Sequence, residues 1–356
     1  MSKKKIIVSV TNDLSTDQRV DKICNTLVDL GFEVLLIGRK LKNSTPLNRR
    51  YSTSRMALLF NKGPLFYAMY NCSLFFKLIF IKKDILVAND LDTLLANYMV
   101  SKLFNIKLVY DSHELFTAVP ELIARPKTQL IWKKIEAYIF PKLKNVYTVN
   151  DIIADIYSKK YGVVVNVVRN IAPKYNCEKI DSEFIAQTKG TNKMLILQGA
   201  GINIDRGGEE AVEMMQYLEN IILYIIGSGD VFDILKEKIK TLNLTNKVVV
   251  LDKMPYNELM KYTQIADLGL SLDKNTNLNY EYSLPNKIFD YIQAQTPLLV
   301  SNRKIIAQIV NSHQIGQVIN THNPKKMAEA VSAIFNNQPQ YANWIKNIKD
   351  AASIYN

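Results

Sequence analysis

The run Lys5-Ile6-Ile7-Val8-Ser9-Val10, apolar positions at Val20, Ile23, Cys24, Leu27 and Val28, then Gly31 and Glu33-Val34-Leu35-Leu36-Ile37-Gly38 decide the fold. The two flanking runs are short, apolar and β-branched, as strands buried on both faces are. Between them the apolar residues recur at helical steps, and Gly31 stops the helix. A strand, a helix and a strand in that order form a βαβ unit, which places the chain among α/β folds with a parallel sheet. Working outward, further strands are expected at 84–88, 107–111, 145–149 and 163–169, and together they complete one doubly wound domain over 1–172.

Residues 173–192 turn polar and lose the long apolar period, so an inter-domain linker is predicted there. A second series follows. It has strands at 194–198, 221–226, 247–251, 267–272 and 297–301, with helices at 207–218, 231–242, 256–265 and 284–295 between them. Two α/β series imply two Rossmann-like domains facing across a cleft, the second spanning 193–338. The terminal segment 339–356 carries Trp344, Ile345, Ile348 and Ala352 on one helical face. It is a packed helix and a candidate to cross back to the first domain.

The chain has 356 residues, a net charge of +12 and 48% hydrophobic content, which excludes a disordered tail, a fibre and a disulfide-stapled miniprotein. Three widely spaced cysteines (Cys24, Cys72, Cys177) make neither a disulfide framework nor a zinc cluster and suit a reducing, cytosolic setting. The apolar run after Lys3-Lys4-Lys5 is too short for a signal peptide. Residues 65–81, rich in aromatics (Phe66, Tyr67, Tyr70, Phe75, Phe76, Phe80), are interrupted by Asn71 and Lys77 and closed by Lys82-Lys83. Such a segment is too interrupted to span a bilayer; it either lies on an anionic membrane surface or is buried. Lys and Arg are spread along the chain with no nucleic-acid module, so no nucleic-acid partner is expected.

In open α/β sheets ligands bind beyond the carboxyl ends of the strands. The first such loop, Thr11-Asn12-Asp13-Leu14-Ser15-Thr16-Asp17-Gln18-Arg19, lacks the G-x-G-x-x-G glycines of a dinucleotide site and holds capping residues. After the strand at 107–111 stands His113, which either hydrogen-bonds within the structure or touches a substrate hydroxyl; His313 and His322 lack such a setting. Glycines follow two neighbouring strands of the second series, Gly199 and Gly201 in one loop and Gly227 and Gly229 in the next. Arg206 adds a forked cation, and the set suits a diphosphate. Lys287 falls in the first turn of a helix started by Pro285, where a cation opposes the helix dipole unless an anion sits nearby; Asp290 lies about one turn on.

These blocks resemble the family 4 glycosyltransferases, retaining enzymes of the GT-B fold that move a sugar from a nucleotide donor. The matching blocks are the 11–19 entry, Asn89-Asp90, Asp111-Ser112-His113-Glu114, Arg206-Gly207, Ile226-Gly227-Ser228-Gly229 and Leu284-Pro285-Asn286-Lys287-Ile288-Phe289-Asp290-Tyr291. The resemblance implies that Arg206 and Lys287 bind the donor diphosphate, that Asp290 grips the ribose and that Met254 meets the base. Gly199, Gly201, Gly227, Gly229, Glu281 and Asn286 complete the donor side. His113 would stand near the transferred sugar, with Asn12, Asp17, Arg19, Asn89, Asp90 and Glu114 lining the acceptor side.

The chain departs from the family pattern twice. Tyr282 stands where the first of two motif acids falls, with Glu281 beside it, and Ala200 replaces an arginine. The implied function is a retaining, metal-independent, front-face transfer from a UDP- or GDP-sugar co-substrate to a glycan or lipid-linked acceptor, with no further cofactor. Alternatives are a sugar-nucleotide epimerase of the same fold, or a relative that binds without catalysis.

Overall fold

Seven parallel strands form the first sheet: β1 (Lys5–Asp13), β2 (Glu33–Lys40), β3 (Ser52–Ala57), β4 (Ile85–Asn89), β5 (Lys107–Ser112), β6 (Val146–Thr148) and β7 (Val165–Val167). Six more form the second: β8 (Lys193–Gly199), β9 (Ile221–Gly227), β10 (Val248–Asp252), β11 (Leu268–Ser271), β12 (Leu298–Ser301) and β13 (Gly316–Ile319). This computed structural model describes residues 3–15, 17–42 and 44–355; Met1, Ser2, Asn43, Asn356 and Thr16, quoted above in the first loop, lie outside them. The chain divides into two units, Met1–Asn170 and Ile171–Asn356, each built on one sheet.

The strand orders are β3-β2-β1-β4-β5-β6-β7 and β10-β9-β8-β11-β12-β13. Both follow the doubly wound order, in which the chain leaves the first strand in one direction and returns on its other side. The switch points therefore lie between β1 and β4 and between β8 and β11. Alternate residues of the second sheet enter two cores, Leu195, Leu197, Leu223 and Leu270 on one face and Met194, Ile196, Ile226 and Val300 on the other. Apolar side chains on both faces leave the strand ends as the place for polar chemistry.

The structure adds two edge strands that the periodicity did not show. In β3 the polar Ser52-Thr53-Ser54-Arg55 run is mostly exposed or half-buried, and β13 is only four residues long; edge strands need no continuous apolar run. The helix expected at 284–295 is shorter, Asn286–Gln293, and a separate turn of helix covers Leu278–Tyr282. Residues 173–192, expected as a linker, belong to the second unit. They contain the helix Ser182–Lys189, whose N-cap is Asp181, and Phe184 and Ile185 pack on that unit's core. The apolar contacts sit at too few positions to mark the segment by period.

The terminal helix Gln338–Ile354 also packs on the second unit. Trp344 enters one core and Ile348 and Ala351 the other. Trp344 is 4% exposed. Trp344→Ala is expected to destabilise the second unit by about 3–5 kcal/mol, read as a lower urea midpoint. A change below about 1 kcal/mol would mean that the helix is only appended.

Candidate functional site

The second unit gathers charge at its switch point. Asp273, two residues beyond β11, is fully buried. The Arg206 guanidinium lies 3.6 Å from one of its carboxylate oxygens and the Lys287 ammonium 4.0 Å from the other. Gly207 makes the approach of Arg206 possible: at φ +77° it lies so close to Leu272 that a Cβ would sit 2.3 Å from the Leu272 Cβ. The guanidinium also stacks over the Tyr280 ring, 4.5 Å from its centroid. Lys287 occupies the first turn of Asn286–Gln293, whose N-cap residue, Pro285, offers no side-chain cap bond, and Asn286 is exposed there. Burial draws the Lys287 ammonium below the usual lysine pKa; Asp273 opposes that pull and Arg206 adds to it.

The two glycine loops interlock beside this cluster. The Gly199 carbonyl accepts from the Ser228 N–H and that of Ser228 accepts from the Ile202 N–H. Gly227, at φ +144°, meets the Gly199 carbonyl so closely that any Cβ would overlap it. Gly227 and Gly229 are thus required by the packing of loop on loop. Gly199 and Gly201 have only ordinary contacts around their Cβ positions, which leaves their backbone approachable. Ala200 is exposed, and its carbonyl accepts from the Ser228 hydroxyl.

Asp290 is held in a buried network: its oxygens accept from Gln198 Nε2 at 3.2 Å and from the Tyr256 hydroxyl at 3.0 Å, while Thr263 donates to Gln198 Oε1. Met254 follows β10 and packs half-buried against the core on the Tyr224 face. Glu281 is taken up by a third cation. It accepts from Arg303 at 2.5 Å on the wall of a polar cavity of about 480 Å³, which Asn302, Lys304 and His322 also line.

In the first unit a second charged cluster sits at the ends of β4 and β5. His113 is clasped from both sides, Nδ1 at 3.0 Å from Asp90 and Nε2 at 3.1 Å from Asp111, and its backbone N–H donates to Asp90. Arg19 donates to the other Asp111 oxygen at 2.6 Å. Asp90 adopts φ 58° and ψ 169°, a region almost confined to glycine, and this strained residue aims its carboxylate at the histidine. Burial would lower the His113 pKa, but the carboxylates of Asp90 and Asp111 outweigh it and hold the ring well above its ordinary value. Burial would raise Asp111, yet His113 and Arg19 hold it below the usual carboxylate range.

Other residues named from the sequence serve the frame. Asn12 donates to Asp17, which caps the helix Gln18–Asp29 through the Val20 N–H, and Asn89 donates to the Ser9 carbonyl across the sheet. The Glu114 carbonyl accepts from Ser112 and Tyr157. Two carboxylates were not singled out by the sequence reading. Asp273 reads as loop in Leu272-Asp273-Lys274, where only its place after a strand was a signal. Asp92, buried and bonded by Thr11 at 2.5 Å, is pushed up to about 7 by burial and by the charge of Asp90.

Residues 180–351 match the family model described as glycosyl transferases group 1, which covers nearly all of the second unit and just under half of the chain. The second unit is a group 1 glycosyltransferase domain, and the protein is an enzyme of the glycosyltransferase class. Solved structures share the whole fold. The sucrose-phosphate synthase of Thermosynechococcus elongatus superposes with a TM-score of 0.78 at 13% identity, over 99% of this chain and 95% of that one. Anabaena HepE in complex with UDP and glucose gives 0.74 at 13% identity, with 99% and 95% covered. WaaG, a glycosyltransferase involved in lipopolysaccharide biosynthesis, gives 0.69 at 14% identity, with 98% and 95% covered. The two Rossmann-like domains expected from the two α/β series match these GT-B structures, the architecture that the family resemblance implies. A comparison with curated protein sequences finds no match.

The clasp on His113 has a titration signature. A histidine whose folded pKa is raised above the unfolded value of about 6.5 adds stability that is full below that pH and lost as pH rises through the folded pKa. The His113 ring resonances in an NMR titration are expected to move only well above pH 6.5, and in Asp90→Asn at a lower pH than in the natural chain. Titration of the natural chain at about 6.5 would break the ion-pair assignment.

Proposed function

We propose that the protein is a retaining glycosyltransferase that takes a UDP- or GDP-sugar and passes the sugar to a glycan or lipid-linked acceptor. The observation that carries this reading is the Arg206–Lys287 pair, which two segments of the group 1 domain bring to one buried carboxylate beside an approachable glycine loop. HepE, whose fold the chain shares, is described in complex with UDP and glucose.

In the reaction the bond between the sugar's anomeric carbon and the leaving diphosphate oxygen breaks, and a bond to the acceptor hydroxyl oxygen forms on the same face. The acceptor proton passes to the departing diphosphate oxygen. Negative charge therefore grows on the diphosphate, and Arg206, Lys287 and the loop amides stabilise it, which is usually the largest catalytic contribution. Two protein cations take the part a metal ion would otherwise play, so turnover should persist in EDTA. Asp290, positioned by Gln198 and Tyr256, suits a ribose hydroxyl. His113 has both ring nitrogens occupied, so its part is to fix the Asp90 carboxylate, which receives a sugar or acceptor hydroxyl.

A membrane-proximal acceptor is supported by the helix Gly63–Phe80. One face, with Phe66, Tyr70, Leu74 and Leu78, is core, while Phe76 and Phe80 are 61% and 84% exposed near the exposed Lys82. The buried reading of this segment holds for one face, and the exposed aromatics support the membrane-surface reading for the rest. Among the described residues no helix is long and apolar enough to cross a membrane. An exposed aromatic and basic face suits the inner, anionic surface of a bilayer.

Incubating the protein with a panel of sugar nucleotides is expected to release UDP or GDP slowly, with the freed sugar first appearing in the donor's anomeric configuration by proton NMR. Arg206→Ala should weaken binding of the released nucleotide at least about tenfold, as loss of charge-assisted hydrogen bonds implies. No hydrolysis of any donor, or nucleotide affinity unchanged in that variant, would overturn the reading. On vesicles, Phe76→Ser with Phe80→Ser is expected to reduce co-sedimentation with anionic lipid while leaving donor hydrolysis intact.

A further inference from the structure

Asp273 is unusual in what surrounds it. Its side chain is fully buried, yet neither carboxylate oxygen has a hydrogen-bond partner among the described residues. Buried carboxylates ordinarily recruit donors at about 2.7–3.0 Å. Here the Arg206 and Lys287 nitrogens stand at 3.6 and 4.0 Å, near enough to be attracted and too far to bond. The three groups come from the loop after β8, the loop after β11 and the first turn of Asn286–Gln293, so the fold builds the contact and no local motif does. Two buried or half-buried cations without this charge would repel each other, and one carboxylate between them leaves the group with a net positive charge, suited to an anion.

We propose that Asp273 is a positioning residue of the donor site, the counter-ion that holds the Arg206 guanidinium and the Lys287 ammonium side by side, both charged, for one diphosphate. This rests on the donor reading above and adds to it the group that keeps its two cations in place. Lys287 is the sensitive member. Burial and the nearby Arg206 both favour its neutral form, and Asp273 is the charge that counters them. The other acid near it, Asp290 on its own helix, is turned to Gln198 and Tyr256. Arg206 stays charged at any ordinary pH.

The test is calorimetric titration of the full chain with UDP and with GDP between about pH 7 and pH 9, comparing the natural chain with Asp273→Asn. The nucleotide's own ionisation is common to both proteins, so the difference between profiles is what is read. In Asp273→Asn the alkaline loss of affinity is expected to move down by about one pH unit or more, because an opposite charge nearby shifts a pKa by that order. Adding Lys287→Arg to that variant should restore binding at the alkaline end, since a guanidinium keeps its proton. A merely structural role for Asp273 would weaken binding equally at all pH values and would not be rescued.

Coincident alkaline limbs in the natural chain and Asp273→Asn overturn the inference while leaving the donor reading standing. If Asp273→Asn does not fold, Lys287→Arg in the natural chain decides: a smaller alkaline loss than in the natural chain supports the inference, and an unchanged one overturns it. Absence of binding by the natural chain to either nucleotide overturns the donor reading and the inference together.

Discussion

A carboxylate shut away from water must be met by opposite charge or by hydrogen-bond donors, and that demand organises the strand ends of both units. In the second unit Asp273 draws Arg206 and Lys287 to one point from separate loops. In the first, Asp111 draws Arg19 and His113, and His113 in turn draws Asp90. The placement is parallel: Asp90 directly follows β4 and Asp273 lies two residues past β11, each the fourth strand of its unit and each beside the switch point of a doubly wound sheet. Sheets apolar on both faces leave their strand ends as the place where such groups can gather.

Breaking one partner of a buried ion cluster costs more than the pair contributes, because a charge is left without compensation. Arg206 and Lys287 are therefore part of what makes Asp273 tolerable in the fold, and the same coupling joins Arg19, Asp111 and His113. The Asp90 backbone, held at φ 58°, stores strain in the same place, and the histidine clasp is what over-determines it.

Much of this was legible in the sequence. The βαβ opening named the fold because apolar periods of two kinds alternate there, Arg206 stood out as a forked cation among loop glycines, and Pro285 placed Lys287 in the first turn of a helix. What was not legible follows from tertiary contact. Asp273 is buried beside Arg206 because Gly207 lets its loop lie on Leu272, and Asp111, which holds His113, takes its other partner from as far away as Arg19. Glu281 looked like a donor-site acid by its position, yet Arg303, from the loop after β12, takes its carboxylate. The edge strands β3 and β13 and the helix Ser182–Lys189 were missed because each buries too few side chains to impose a period.

The central claim is that Arg206 and Lys287, held by Asp273, receive a nucleotide diphosphate. A crystal structure of the protein soaked with UDP tests it most directly. The account expects the two phosphates within hydrogen-bond distance of both the Arg206 guanidinium and the Lys287 ammonium, with Asp273 still buried behind them. Phosphates bound elsewhere, with Arg206 and Lys287 still turned to Asp273, would contradict it.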